Sequence, residues 1–266
     1  MDKIFKGLPY GFSSFDEISD SLIECAAKRR IPENAKTVIS ILFPYYLGED
    51  FYEKSNISRY AVSEDYHIIT GRIINEITDE LRQLYPENEF QAFVDNSPFP
   101  EVRCAVKAGL GSMGINNLFI NNDYGSWVFL GEIVTDRYFP PFIGEYSLCA
   151  GCNKCIEACP TKALTGKEII KEKCLSFLSQ KKGELDSETE RLIASTGCAW
   201  GCDICQKACP LNINAKTTPI KEFFETAEAY VSKDTNIENR AFAWRGKAVI
   251  DRNLDILDNK NKSDRR

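Results

Sequence analysis

The chain has 266 residues, 43% of them apolar and 27% charged, the balance of a soluble globular protein with room for one ordinary domain and a small module. No stretch holds the roughly 18 uninterrupted apolar residues of a membrane span. Met1 to Tyr10 lacks the apolar run of a secretory leader, so a cytoplasmic protein with no membrane partner is expected. A formal net charge of −6 gives no global attraction for a polyanion, which neither proposes nor excludes nucleic acid.

From Ser14 to Arg30, Phe15, Ile18, Leu22 and Ala26 recur at helical spacing behind a Ser13 or Ser14 cap, which predicts an amphipathic helix with Cys25 as a core thiol. Lys36 to Phe43 is short, β-branched and ended by Pro44, the pattern of a buried strand. Between Ser63 and Leu84, Ile69, Ile73, Ile77, Leu81 and Leu84 mark a longer helix that Pro86 ends. Glu89 to Asp95 reads as a second strand and Pro98 to Ala108 as a short helix. Asn117 to Ile120 and Ser126 to Val134 read as strands on either side of the turn Asn121 to Gly125. The expected fold class is α+β, with a mixed α/β domain over residues 1–140 and a cysteine-rich module over 141–217, entered through Pro140-Pro141. A helical segment over 218–258 follows, its pattern resuming only after Pro219 at Phe223 to Val231, and a polar, frayed tail over 259–266 ends the chain.

Nine of the eleven cysteines lie between 149 and 209 at metal-ligand spacings, which argues for thiolates and metal rather than disulfides. Cys149-x2-Cys152-x2-Cys155-x3-Cys159-Pro160 has the spacing of bacterial two-cluster ferredoxins, and Cys202-x2-Cys205-x3-Cys209-Pro210 supplies the second half. Three thiolates on a tight loop face one [4Fe–4S] cubane, while the fourth points to the neighbouring cluster. Exchange of the fourth ligands puts Cys149, Cys152, Cys155 and Cys209 on one cluster. The other takes Cys159, Cys202 and Cys205, with Cys174 or Cys198 as its fourth. Four-cysteine zinc sites also use CxxC pairs, but zinc has no use for two crossing quartets each closed by Cys-Pro. The module has few large apolar side chains, so the clusters serve as its core, and Cys155→Ala is expected to lose a cluster and much of the stability.

Outside the module the signals are weaker. Gly109-Leu110-Gly111-Ser112-Met113-Gly114 matches GxGxxG, yet it follows a helix and precedes a strand, the reverse of a dinucleotide fingerprint, so its glycines are expected to let backbone pass close to a ligand or another loop. His67 is the only histidine and, alone on a helix, reads as structural. Asp95 before Asn96-Ser97-Pro98 reads as a cap of the next turn, with a catalytic role as the sharper alternative. Cys104 reads as a buried thiol, and Glu132, in the apolar run Trp127 to Val134, needs a partner if buried.

Several of these segments join a larger set: Arg59-Tyr60 with Asp65-Tyr66-His67, Val94-Asp95-x2-Pro98, Gly109-Leu110-Gly111 with Asn116, and Gly125-Ser126-Trp127 with Leu130-Gly131-Glu132. Gly201-Cys202-Asp203-Ile204-Cys205-Gln206, Trp244-Arg245-Gly246 and Arg252-Asn253-Leu254 complete it. From about Lys36 to Leu257 the chain resembles the epoxyqueuosine reductase family, cobalamin-dependent iron–sulfur enzymes of the last step of queuosine synthesis on tRNA. The resemblance implies a cobalamin-reductase-type N-terminal domain packed on the ferredoxin-type module, and Cys174 rather than Cys198 as the remaining cluster ligand. It implies Asp95 as the proton donor, a carboxylic acid kept protonated in a desolvated pocket, and cofactor contacts from Asn116, Ser126, Trp127, Ser176 and Asp203. The cofactors implied are two [4Fe–4S] clusters and cobalamin; the partners are reduced ferredoxin or flavodoxin as electron donor, and tRNA.

The chain departs from the family in three places. Ser112-Met113-Gly114-Ile115-Asn116 stands where the family has Trp-x-Gly-Lys-Asn, and Val102 replaces the arginine after Glu101. The resemblance stops near Arg252-Asn253-Leu254, short of the helical extension that contributes to tRNA binding in longer members. These departures suit an alternative reading, a two-cluster electron-transfer protein without cobalamin or tRNA activity.

Overall fold

The strand expected at Lys36 to Phe43 lies at the centre of the molecule. In the computed structural model, which describes residues 1–144 and 147–263, β1 (Tyr10–Ser14) pairs with β2 (Thr37–Pro44), and β3 (Phe90–Phe93) pairs with the last strand of the same sheet. β4 (Ser112–Met113) and β5 (Phe119–Ile120) form a separate ribbon, and β6 (Val128–Thr135) completes the antiparallel sheet in the order β1, β2, β6, β3. Every residue of β2 is buried, because alternate side chains face opposite layers and both layers are covered. Ile39, Ile41, Phe43 and Ile133 face one layer; Val38, Leu42, Leu130 and Val134 face the other.

Three helices build those layers: α1 (Asp16–Ser19), α2 (Tyr66–Leu84) and α3 (Glu101–Lys107). α2 places Ile69, Ile73, Ile77 and Leu81 on the first face, as the spacing of its apolar residues predicts. Each such side chain contributes about 2 kcal/mol on burial. α1 and α3 cover the second face with Ile18, Cys104 and Ala105. The module follows with α4 (Lys154–Ala158), α5 (Leu175–Ser179), α6 (Ser187–Thr196) and α7 (Ile204–Lys207), and the chain continues through α8 (Lys221–Glu225) and α9 (Lys247–Ser263). The main core reaches beyond the N-terminal half, since Trp200, Phe223, Phe242, Ile250 and Leu254 join Ile69 and Ile73.

The structure corrects several expectations. The helix expected from Ser14 to Arg30 is two separate turns, Asp16–Ser19 and a 3-10 turn at Ala26–Arg30. The Ser19 and Ser21 hydroxyls donate to the carbonyls of Asp16 and Ile18, closing the first turn locally, and the Ile23 N–H turns aside to the Pro98 carbonyl. Cys25 is consequently only half-buried, whereas Cys104 is fully buried as expected. A ten-residue helix, α6, precedes Pro219. Asp186 caps it by accepting the backbone N–H groups of Glu188 and Thr189, and Gly197 closes it. Its apolar stripe is thin, with Ile193 the buried apolar residue, so the periodicity was faint. The polar segment from Asn259 continues α9 as far as Ser263, and residues 264–266 of the expected tail lie outside the described residues.

Candidate active site and metal centre

The turn between β3 and α3 brings Asp95 to the start of α2. Asp95 and Asn96 both have left-handed backbone, φ 45° and 38°, a strained conformation for consecutive non-glycine residues and one that accumulates at functional sites. The Tyr66 hydroxyl donates to Asp95 Oδ2 at 2.7 Å, and His67 Nε2 meets the same oxygen at 2.9 Å. His67 Nδ1 lies 2.7 Å from Asp65 Oδ1, so each ring nitrogen faces a carboxylate acceptor and each must carry hydrogen. The hydrogen bonds to Asp65 and Asp95 outweigh burial and raise His67 to about 9. The bond from His67, together with that from Tyr66, holds Asp95 well below the usual carboxylate range despite partial burial. The expectation of a protonated Asp95 in a dry pocket is therefore corrected: its side chain is 50% exposed, ionised and paired with imidazolium.

Asp95 and Tyr66 edge a cavity of about 220 Å³ whose walls include Glu101, Val102, Asn117, Ser126 and Phe129. The Asn117 side-chain amide is buried without a hydrogen-bond partner. Ser126 ties this cavity to the module: its hydroxyl donates to Gln206 Oε1 at 2.9 Å and accepts from Asn212 Nδ2 at 2.9 Å, while its N–H donates to Asn212 Oδ1 at 2.7 Å. Gly125 makes that approach possible, because a Cβ there would lie 2.0 Å from Asn212 Oδ1. Gln206 in turn stands between Cys205 and Cys209 in the chain.

In the module Cys155 lies near Cys209 and Cys149, and Cys209 near Cys149 and Cys152. Cys202 and Cys205 lie near Cys174 and Cys159. Burial raises Cys202 to about 11 and Cys205 to about 12, with the neighbouring thiols adding to the shift. The Cys198 thiol instead donates to the Trp200 carbonyl at 3.2 Å and the Gly201 carbonyl at 3.6 Å. All eleven thiols are free.

Residues 26–96 match the family described as Epoxyqueuosine reductase QueG, DUF1730, and residues 148–212 match the 4Fe-4S double cluster binding domain. An epoxyqueuosine reductase of Lactococcus garvieae is 33% identical over 241 residues, covering 84% of this chain and 68% of that protein. The chain belongs to the epoxyqueuosine reductase family. It spans about two thirds of the length of the curated relatives it matches. The epoxyqueuosine reductase structure from Streptococcus thermophilus is 27% identical and superposes with a TM-score of 0.77 over 98% of this chain and 79% of that one. An epoxyqueuosine reductase solved with an epoxyqueuosine-modified tRNA-Tyr stem loop is 25% identical, with a TM-score of 0.78 over 94% and 76%. This chain is an iron–sulfur oxidoreductase of that family, whose cofactors are two [4Fe–4S] clusters and cobalamin.

The residues present fit both groups. Eight unpaired thiols fall into two neighbourhoods of four, and among the described residues no three His, Cys, Asp or Glu side chains converge closely enough for a single metal ion. A cubane holds its thiolates farther apart than a lone zinc does. For cobalamin, the unpartnered Asn117 amide and the Ser126 hydroxyl on the cavity wall suit a ligand rich in amide groups.

The other residues expected to touch cofactor do not line this cavity. Trp127 is fully buried beneath the Arg59 guanidinium, 4.6 Å from the ring, because the aromatic cage of Tyr46 and Tyr52 closes around that cation. Asn116 is buried and turns its own loop by accepting the Leu118 N–H, leaving its neighbour Asn117 on the cavity. Gly111 lets the backbone of that same loop pass close, since a Cβ there would lie 2.1 Å from the Ile120 carbonyl oxygen. Ser176 is the second residue of α5, two positions after Cys174, its hydroxyl accepting from Gln180 at 3.5 Å.

Asp203 joins the module to the N-terminal half, accepting the Ser58 hydroxyl at 2.6 Å and the Arg59 N–H at 2.7 Å in a buried setting that raises its pKa. Asp203→Ala is expected to cost about 3 kcal/mol, two hydrogen bonds to a buried acceptor. The drop would be read as a lower melting temperature of cluster-loaded protein prepared without oxygen. Tyr66, His67, Glu101 and Asn117 enter the site although none was singled out as catalytic or cofactor-binding. The signal for His67 was Asp65-x-His67 at a helix start, which aims the imidazole back over the helix N-terminus.

Proposed function

We propose that this chain reduces epoxyqueuosine in the anticodon loop of tRNA to queuosine, taking electrons from reduced ferredoxin or flavodoxin. The observation that carries this reading is the meeting of Asp95, held by His67 and Tyr66, with a cavity whose wall includes Ser126, itself hydrogen-bonded to Gln206 of the cysteine module. On this reading Cys149, Cys152, Cys155 and Cys209 hold one cluster, and Cys159, Cys174, Cys202 and Cys205 the other. The N-terminal half is of the cobalamin-reductase type, with Ser126 and Asn117 holding the corrin. When bound, these groups supply low-potential electrons and a strongly nucleophilic cobalt, the chemistry that opening an epoxide demands.

The chain's own residues handle protons. His67 stores one at neutral pH between Asp65 and Asp95, and Tyr66 fixes the Asp95 carboxylate that passes it on to the epoxide oxygen. RNA loops are read as splayed single strands, and an extruded base suits a site on an open cavity edge.

The test is anaerobic incubation of cluster- and cobalamin-loaded protein with epoxyqueuosine-containing tRNA and a low-potential reductant, followed by mass spectrometry of the nucleosides. Epoxyqueuosine should lose one oxygen. An unchanged nucleoside, in protein whose bound cobalt(II) gives a base-off paramagnetic resonance signal, would rule out this substrate. Two reducible clusters without bound cobalamin would instead support the electron carrier.

A further inference from the structure

Expelling an epoxide oxygen as water consumes two protons, and the His67–Asp95 group holds one. A second carboxyl lies directly behind Asp95. Glu101, the first residue of α3, accepts the Asp95 N–H through Oε1 at 3.0 Å and lines the same cavity as Asp95, Tyr66 and Ser126. Beneath it lies Glu132 in β6, fully buried, with no hydrogen-bond partner on either carboxyl oxygen. The residue registered opposite Glu132 on β2, Ser40, is likewise buried with an unpartnered hydroxyl. On the same face lie the apolar side chains of Leu130 and Val134.

Burial favours the neutral form of both acids; at Glu101 the Asp95 charge adds to it and the His67 imidazolium opposes it. Asp95, ionised, faces Glu101 from the preceding turn; His67 and the Tyr66 phenol face it from α2. From α3 itself come Cys104, a neutral buried thiol, and Arg103, whose guanidinium turns to the Glu17 carbonyl and Asp20. No lysine or arginine among the described residues hydrogen-bonds or ion-pairs with Glu101 or Glu132. Burial and the Asp95 charge raise Glu101 to about 7, and burial pushes Glu132 well above the carboxylate range. Glu132 is thus a neutral acid, since a carboxylate with no donor in an apolar layer would cost several times what an unpaired neutral group does.

We propose that Glu101 is the second proton donor of the reduction, placed on the cavity wall behind Asp95 above the neutral Glu132. This role rests on the epoxide substrate read above. In the balanced step both C–O bonds of the epoxide break, and its oxygen takes one proton from the His67–Asp95 group and one from Glu101 to leave as water. The two electrons from the reduced ferredoxin or flavodoxin stay in the new C=C bond. Solvent entering the half-open cavity reprotonates both donors.

Infrared titration of the cluster-loaded protein without substrate reads the acids directly. Wild type should show a protonated-carboxyl band that bleaches as pH rises through about 7 and a second band that persists. Glu101→Gln should remove the first, and Glu132→Gln the second. In turnover with epoxyqueuosine-containing RNA, Glu101→Gln should lower kcat about a hundredfold at unchanged KM. The alkaline limb of its residual rate should move from about 7 towards the His67 value of about 9. Glu101→Asp should recover part of the rate, which a purely structural role would not give. Absence of a band titrating near neutrality, or wild-type turnover in a cluster-replete Glu101→Gln protein, would overturn the proposal. Wild type inert on epoxyqueuosine but showing both bands would overturn the substrate reading and leave the protonated Glu101 standing.

Discussion

Cys174→Ala, reconstituted without oxygen, is expected to hold about half the wild-type iron, roughly four atoms in place of eight, while Cys198→Ala keeps all of it. Spacing alone leaves the two cysteines in competition, since each lies within reach of the pair Cys202 and Cys205. Their surroundings separate them. Cys174 stands at the mouth of α5 near both Cys202 and Cys205, with Cys159 nearby. Cys198 has its thiol turned to two backbone carbonyls and packs in a buried corner beside Trp200, which the main core holds in place. For Cys198 to replace Cys174, the segment carrying Trp200 would have to leave that core, where the indole N–H also donates to the Tyr60 hydroxyl at 2.7 Å. The Cys174→Ala protein should therefore lose a whole cluster rather than exchange a ligand. Because the module's buried centre consists of Cys155, Cys159, Ala163 and Leu164, with Cys174 and Cys205 against it, its melting temperature should fall with the iron. The reverse result, full iron in Cys174→Ala and half in Cys198→Ala, would transfer the ligand role to Cys198.

The module, the central strand and the long helix α2 were legible because their information is local. Cys-x2-Cys spacing, a β-branched run and isoleucines at three- and four-residue steps each specify an element within one short window. The first helix failed because serine hydroxyls competed for its backbone carbonyls. α6 was invisible because its stripe is almost empty of large apolar residues. The site divides along the same line. Asp95 and Ser126 were readable from motif and resemblance and do meet at one cavity. The motif also contained Asp203, which bonds the module to the Arg59 N–H, and Trp127, which packs against the Arg59 guanidinium within the N-terminal half. One shared motif thus holds both residues that line the cavity and residues that lie behind it. Least legible were the charges. That Asp95 is an anion depends on His67, and that Glu101 is an acid depends on its burial and on the Asp95 charge, surroundings brought together only by the crossing of α2, α3 and β6.

Asp95→Asn is expected to reduce turnover at least about a hundredfold, the usual worth of a positioned proton-transfer group, and His67→Gln to approach the same loss. The two belong to one unit. An asparagine keeps the size of Asp95 and its contact with the Tyr66 hydroxyl but removes the charge that holds His67 protonated. Since His67 is the only histidine in the chain, its imidazole titration can be followed by nuclear magnetic resonance without assignment. In wild type it should titrate near 9, against 6.5 for a free imidazole, and in Asp95→Asn at a distinctly lower pH, with Asp65 still holding part of the shift. The stability linkage has a definite sign. A raised His67 contributes stability that is complete below about 6.5 and lost as pH climbs through about 9. A depressed Asp95 contributes stability that is complete above the ordinary carboxylate range and lost as pH falls below it. The pair therefore strengthens the fold across the whole neutral range. Wild type should lose more melting temperature than His67→Gln between neutral pH and pH about 9. A His67 that titrates near 6.5 in wild type would mean that Asp95 is not anchored by imidazolium, and the proton for the epoxide oxygen would then have to come from Glu101 alone.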